Sequence, residues 1–135
     1  MAMNIRPSES GAVIHFSGAS VDHVEEVEAD ILVAYYVDRK IVDITIRKRS
    51  GIARVDLVDT GRSVGDVQVT YDADIDALAI DVLSSAYFDS QEVLPGIVVD
   101  YDTEGLVRGF EFLDASQIFS DQTMADIRKC ATLLR

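Results

Sequence analysis

Asp72, Asp74 and Asp76 stand at alternate positions in "VTYDADIDALAIDV", and Asp100, Asp102 and Glu104 form a second acidic set in "VVDYDTEG". Alternating carboxylates are what a hard cation such as calcium takes as ligands. The rest of a helix-loop-helix calcium motif is missing. Counting from Asp72, the sixth position needs glycine and the twelfth a bidentate glutamate, and these positions hold Ala77 and Leu83. The first set is therefore read as a turn between two strands, with Asp72 and Asp76 accepting hydrogen bonds from backbone N–H groups. The alternative is a divalent-cation site built from all six carboxylates. It requires both acidic turns to lie at one end of a sheet, as they would in a simple meander.

Other chemistry is poorly provided for, and an enzyme is not expected. His15 alternates with Ile14 and Phe16 and so points away from a core, His23 sits in the acidic stretch "VDHVEEVE", and Cys130 lies one residue off a helical stripe. No Ser, Thr or Cys is tied to a histidine by a recognised spacing. A glycosidase-type pair needs two carboxylates about 5–10 Å apart in a cleft, and none of the many acids is singled out for that. "GRSVGD" has two glycines but not the Lys-Ser/Thr of a phosphate loop. No cofactor is expected.

The chain has 135 residues and a formal charge of -12. Residues 1–66 carry 8 basic and 11 acidic side chains and residues 67–135 carry 4 and 13, giving -3 and -9. Nucleic acid is a polyanion gripped by clustered Lys and Arg, so such a surface opposes it. A basic protein partner, or self-association, fits better. The run Arg47-Lys48-Arg49 is the basic concentration that would meet the acidic half of a neighbouring chain. No segment reaches the roughly eighteen uninterrupted apolar residues of a membrane helix. "MAMNIRPSES" lacks the pattern of a secretion signal, and the expected compartment is the cytoplasm. A single cysteine excludes an internal disulfide and any multi-thiolate zinc site.

The elements that must hold these residues show an internal repeat. An offset of 66 lays residues 5–50 on 71–116 without a gap. Ile14 falls on Ile80, Glu26-Val27 on Glu92-Val93, Ile31 on Ile97, Val33 on Val99, Tyr35 on Tyr101, Ser50 on Ser116 and Ile52 on Ile118. Apolar alternation is kept as well, as in Ala12/Ile14/Phe16 over Leu78/Ile80/Val82. The second copy reads as a four-strand meander: Val67–Tyr71, Leu78–Val82, "GIVVDYD" and "LVRGFEF", the last two joined by a turn whose Gly105 supplies positive φ. In the first copy Val21, Val24, Val27 and Ile31 also fit helical spacing, but the repeat and the β-rich "ILVAYYV" favour a strand from Asp30 to Val37. "FSDQTMADIRKCATLLR" reads as a closing amphipathic helix from Ser120 to Leu134. Ser120 is its N-cap, Phe119 and Met124 form a staple, and Met124, Ile127, Ala131 and Leu134 form its apolar stripe.

At "YDADIDALAI", "PGIVVDYDTEG" and "VRGFEFLDAS" the second copy resembles the bacterial domain-of-unknown-function 2283 family. The first copy departs from that pattern, with Ile5-Arg6 for Tyr-Asp, Ser10-Gly11 for Asp-Ala and Asp43 for the late glycine. The resemblance implies a small β-rich fold and supplies no catalytic residues.

The expected architecture is mainly β (α+β). It has two repeated antiparallel four-strand units with pseudo-twofold symmetry and a C-terminal helix, in one domain. Its parts are a diverged repeat (1–50), a connector (51–66), a family-like repeat (67–116) and a helix (117–135). The expected function is a non-enzymatic protein-interaction or regulatory module.

Overall fold

Apolar residues at alternate positions give the inner strands of two sheets one buried face each, and these faces meet in a single core. The computed structural model describes residues 12–28, 30–47, 54–56, 62–63, 67–82 and 86–134. The first sheet contains β1 (Ala12–His15), β2 (His23–Glu28), β3 (Ile31–Tyr35), β4 (Ile41–Ile46), β5 (Arg54–Asp56) and β6 (Arg62–Ser63), in the order β2-β3-β4-β1-β5-β6. The second contains β7 (Val67–Asp72), β8 (Ala77–Val82), β9 (Tyr87–Leu94), β10 (Ile97–Asp102), β11 (Val107–Phe112) and β12 (Thr132–Leu134), in the order β12-β7-β8-β11-β10-β9. Antiparallel pairing joins four strands of the first sheet and five of the second, and β5 and β12 add on in parallel to β1 and β7. The protein is thus mainly β, closed by helical segments near its C-terminal end.

Strand bounds in the two sheets follow one another at the offset of 66. Residues 31 and 97 begin β3 and β10, while β4 at 41–46 matches β11 at 107–112. Register agrees too: Ile31 faces Ile46 as Ile97 faces Phe112, and both third strands carry an irregularity at the matching place, Ala34/Tyr35 and Asp100/Tyr101. The same backbone demand recurs at Asp30 (φ 66) and Gly96 (φ 81), where a left-handed residue reverses the chain. Leu113 N–H donates to Gly96 O as Arg47 N–H donates to Asp30 O. The positions 66 residues before β7, 1–6, lie outside the described residues, as does most of the expected connector.

Three expectations need correction. The second sheet is not a simple meander, because β8 pairs with β11 and the three hairpin-linked strands β9, β10 and β11 fold back beside it as a Greek key. It also has two strands more than the four expected, β9 and β12. β9, "YFDSQEVL", is an edge strand that is mostly exposed, so its sequence shows no alternation. β2, "HVEEVE", is hidden in the same way. Lastly, the C-terminal helix is shorter. A single turn, α1 (Ala115–Ile118), precedes α2 (Asp121–Cys130), and the chain becomes extended at Ala131 and enters β12. The open edge of β7 offers backbone hydrogen bonds that three more helical residues would forgo.

The rest of α2 follows from local chemistry. Ser120 Oγ accepts from Thr123 N–H at 3.1 Å, Asp121 sits in the positive first turn, and Arg128 and Lys129 sit in the negative last turn. Phe119, Met124 and Ile127 are buried. Phe16 from the first sheet meets Phe112 from the second edge-on at 5.6 Å, and Phe119 packs on both. Thr123 Oγ1, fully buried, donates to Phe16 O at 2.9 Å and ties α2 to the end of β1.

Candidate functional site

The two acidic turns end up apart. In the Greek key β7 and β11 run one way and β8 and β10 the other, so the β7–β8 turn and the β10–β11 turn lie at opposite ends of the sheet. The six carboxylates therefore do not converge. Among the described residues no group of three or more His, Cys, Asp or Glu side chains is arranged to hold a metal ion.

Asp72 and Asp102 are used on the backbone of their own turns, and Asp76 on the helical turn after β11. Asp72 Oδ1 accepts from Asp74 N–H at 3.0 Å, and Asp76 adopts φ 55. Its carboxylate takes the Tyr71 hydroxyl together with the backbone N–H and hydroxyl of Ser116, which pins α1 to the β7–β8 turn. Partial burial works to raise the Asp76 pKa, but the bonds from Ser116 and Tyr71 and the charge of Arg128 outweigh it, and the group is held below its ordinary value. At the other end Asp102 Oδ1 accepts from the N–H groups of Glu104 and Leu106, both at 2.9 Å, around Gly105 at φ 81. Asp74 and Glu104 are exposed.

Asp100 behaves differently from its neighbours in sequence. It is only 2 % exposed, yet it belongs to the outer face of the second sheet, where it faces Ser90 on β9 and Gly109 on β11. Ser90 Oγ donates to Asp100 Oδ1 at 2.6 Å, and the Tyr87 hydroxyl lies 2.8 Å from Ser90 Oγ. Arg108 is the extra residue at the irregularity in β11, and its guanidinium reaches Asp81 Oδ1 at 3.4 Å and Val82 O at 3.2 Å. Gly109 is required there. A Cβ on it would come within 2.5 Å of Ile80 O and 2.8 Å of Asp81 Oδ1, so only glycine lets Asp81 sit over β11.

The result is a row of three carboxyl groups, Asp81, Asp100 and Glu111, with Arg108 beside them. Glu111 is pushed up to about 7, first by its hydrogen bond with Asp100, then by burial, and then by the charges of Asp100 and Asp81; Arg108 opposes the shift. Asp81 is raised by burial, against the pull of Arg108. A carboxyl group poised near neutrality beside a buried aspartate holds and releases a proton over the physiological range.

Residues 68–116 match the model of a family described as Protein of unknown function (DUF2283). The match falls within the second sheet and covers 49 of the 135 residues, so it marks this segment as similar to that family. No curated protein and no solved structure matches the chain. The matched segment runs from β7 into α1 without β12 and holds the whole carboxyl row, whereas the positions 66 residues earlier do not repeat it. There Ala34 stands for Asp100, Val42 for Arg108, Asp43 for Gly109, Thr45 for Glu111 and His15 for Asp81. Ala34 and Val42 are buried like Asp100, while His15 and Asp43 lie 3.8 Å apart on the outer face. The signal in the sequence was an acid and an arginine at positions where alanine and valine stand 66 residues earlier.

Edge strands flank this row. Among the described residues β2 pairs only with β3, and β9 only with β10; the two edges approach each other. They carry Glu25, Glu26, Glu28, Asp89 and Glu92, with exposed apolar Val24 (54 %), Tyr87 (55 %) and Phe88 (67 %) between them. Arg47 pairs with Glu26 at 3.4 Å. Lys48 and Arg49 of the basic run lie outside the described residues, and nothing is described of the Cys130 side chain. His23 stacks on Tyr35 with ring centroids 4.8 Å apart. Away from the row, a groove of about 490 Å³ separates the β3–β4 turn from α2; Lys40 lines it and donates its Nζ to Gln117 O. No helix among the described residues is long and apolar enough to cross a membrane.

Proposed function

We propose that this chain is a duplicated DUF2283 module of the bacterial cytoplasm, that it is not an enzyme, and that it binds a basic protein partner along the edge strand β9. The observation that carries this reading is β9 itself. It is eight residues long and pairs on one side among the described residues, with Tyr87 and Phe88 exposed beside Asp89 and Glu92. An unpaired edge offers backbone donors and acceptors to an extended segment of another protein, and alternate side chains supply selectivity. Acidic side chains on β9 and β2 select a cationic segment and repel another acidic chain, which favours a foreign basic partner over self-association. The common offset of 66 in strand bounds, register and turn conformation supports the duplication.

Affinity purification from the native host at low salt tests the reading, with wild-type protein beside a Phe88→Lys, Val24→Lys variant. Both side chains are exposed, so the variant keeps its fold. A stoichiometric basic partner retained by wild type and lost by the variant is the expected result. Absence of any stoichiometric partner at low salt, where charge attraction is least screened, would overturn it.

A further inference from the structure

We propose that the docking edge of β9 is a window of four residues, 89–92, closed at each end by a β-bulge, and that it takes a short extended segment with basic side chains at alternate positions. The inference rests on β9 as the docking edge and supplies the length, register and side-chain pattern of its partner.

Register sets the two bulges. Against consecutive residues of β10, β9 skips from Leu94 to Glu92 and from Asp89 to Tyr87, so Val93 and Phe88 are extra residues. Between them residues 89–92 pair regularly with β10. Asp102 N–H donates to Leu106 O, and Asp102 O accepts from Gly105 N–H, so the backbone groups of Asp102 point to β11. Backbone direction alternates along a strand, and Tyr101 and Val99 therefore turn to β9, where Asp89 and Gln91 face them. Ser90 and Glu92 are left with N–H and C=O pointing off the sheet. The first sheet keeps the same order. Tyr35, 66 residues before Tyr101, accepts from Asp22 N–H on the β2 side, and Val27 is the bulge residue of β2 as Val93 is of β9.

A bulge turns an edge out of line and stops a long strand from adding to it. What remains is hydrogen bonding at Ser90 and Glu92, spaced for alternate residues of a partner. Those two partner residues lie on the outer face with Ser90. The residues between and beside them share the face of Asp89 and Gln91, which stand opposite Tyr101 and Val99 and so turn toward the first sheet. That face is acidic. Asp89 is exposed there, and Glu25 on β2, opposite the buried Val33, is exposed on the matching side of its own sheet. Basic side chains at these positions are the complement. Glu92 contributes its backbone rather than its charge, because its carboxylate accepts from Gly96 N–H at 3.0 Å.

The probe is the blocked peptide acetyl-Lys-Val-Lys-Val-Lys-amide, added to the whole protein at low salt and read by amide hydrogen exchange. In the free protein the amides of Asp89 and Gln91 should be protected and those of Ser90 and Glu92 exposed to exchange. The peptide should slow Ser90 and Glu92 about tenfold at a concentration about ten times its Kd, and leave Phe88 and Val93 unchanged. Methylating the two valine nitrogens, which face β9 in this register, should abolish the effect, whereas methylating the central lysine nitrogen should preserve it at the same peptide charge. A free protein without the alternation, two methylated peptides that act alike, protection spread over all of β9, or no protection at all would each overturn the window and leave the docking of a larger partner on β9 standing. Failure to capture a basic partner from the host would strike the docking reading and leave the peptide result intact.

Discussion

Ser90 Oγ and Asp100 Oδ1 lie 2.6 Å apart across the β9–β10 pair, and this contact joins an exposed edge strand to a buried carboxylate. A hydrogen bond to a charged acceptor is worth about 1.5–3 kcal/mol. It is strong enough to hold the end of the edge strand against the sheet.

Glu111 gives the fold a pH dependence whose sign is set by its raised pKa. In the unfolded chain it titrates near 4.5 and in the fold at about 7, so the folded state holds the extra proton between these values. Its stabilising contribution is full below about 4.5 and is lost as pH rises through about 7. Urea unfolding at pH 5 and pH 8 should show Glu111→Gln gaining stability relative to wild type at the higher pH. A gap between the two proteins that stays constant with pH would refute this.

Asp76 acts in the opposite sense. Its lowered pKa means that its contribution is present above the ordinary 3.8 and is lost as pH falls through the folded value. Asp76→Ala removes the anchor for Ser116 and Tyr71 and should cost about 1–3 kcal/mol at neutral pH. The deficit against wild type should shrink in acid, which thermal melts at pH 7 and pH 3 would reveal.

Gly109→Ala forces a Cβ against Ile80 O, a backbone atom that cannot turn away. Strain of this kind costs about 1–3 kcal/mol. The melting temperature should drop, whereas alanine at Gly105, where a Cβ meets nothing within 4 Å, carries only the strain of φ 81.

Phe112→Ala opens a void between the sheets, because Phe112 is fully buried and contacts both Phe16 and Phe119. A loss of about 3–5 kcal/mol is expected in chemical denaturation. If the two sheets were independent units, the loss would be confined to one of two unfolding transitions; a single shared transition shifted as a whole is the expected result.

Calcium titrated calorimetrically into the protein in physiological salt should give no saturable isotherm below about the millimolar range of the weakest calcium modules. The acids of the two turns are at opposite ends of the sheet, and Asp72 and Asp102 are spent on backbone N–H groups. A micromolar one-to-one isotherm abolished by Asp72→Ala would contradict that arrangement.

The sequence alone determined the strands with a buried face. Ile44 and Ile46 alternate with Asp43, Thr45 and Arg47, and period-two burial is a local property that a chain displays without knowing its partners. The positive-φ Gly105 and the Ser120 cap were legible for the same reason, since each is set within a few residues of itself. Tertiary structure alone decided the rest. β2 and β9 bury too little to show a period, so only pairing with β3 and β10 makes them strands. β12 exists because β7 leaves an edge open to the last residues of the chain. The order β8-β11-β10-β9 separated the two acidic turns that the sequence had grouped, and it brought together Asp81, Asp100 and Glu111, which are spread over 81–111. Charge at a distance along the chain is invisible until strand order fixes which carboxyl groups share a face, and that order depends on cross-strand packing rather than on any local pattern.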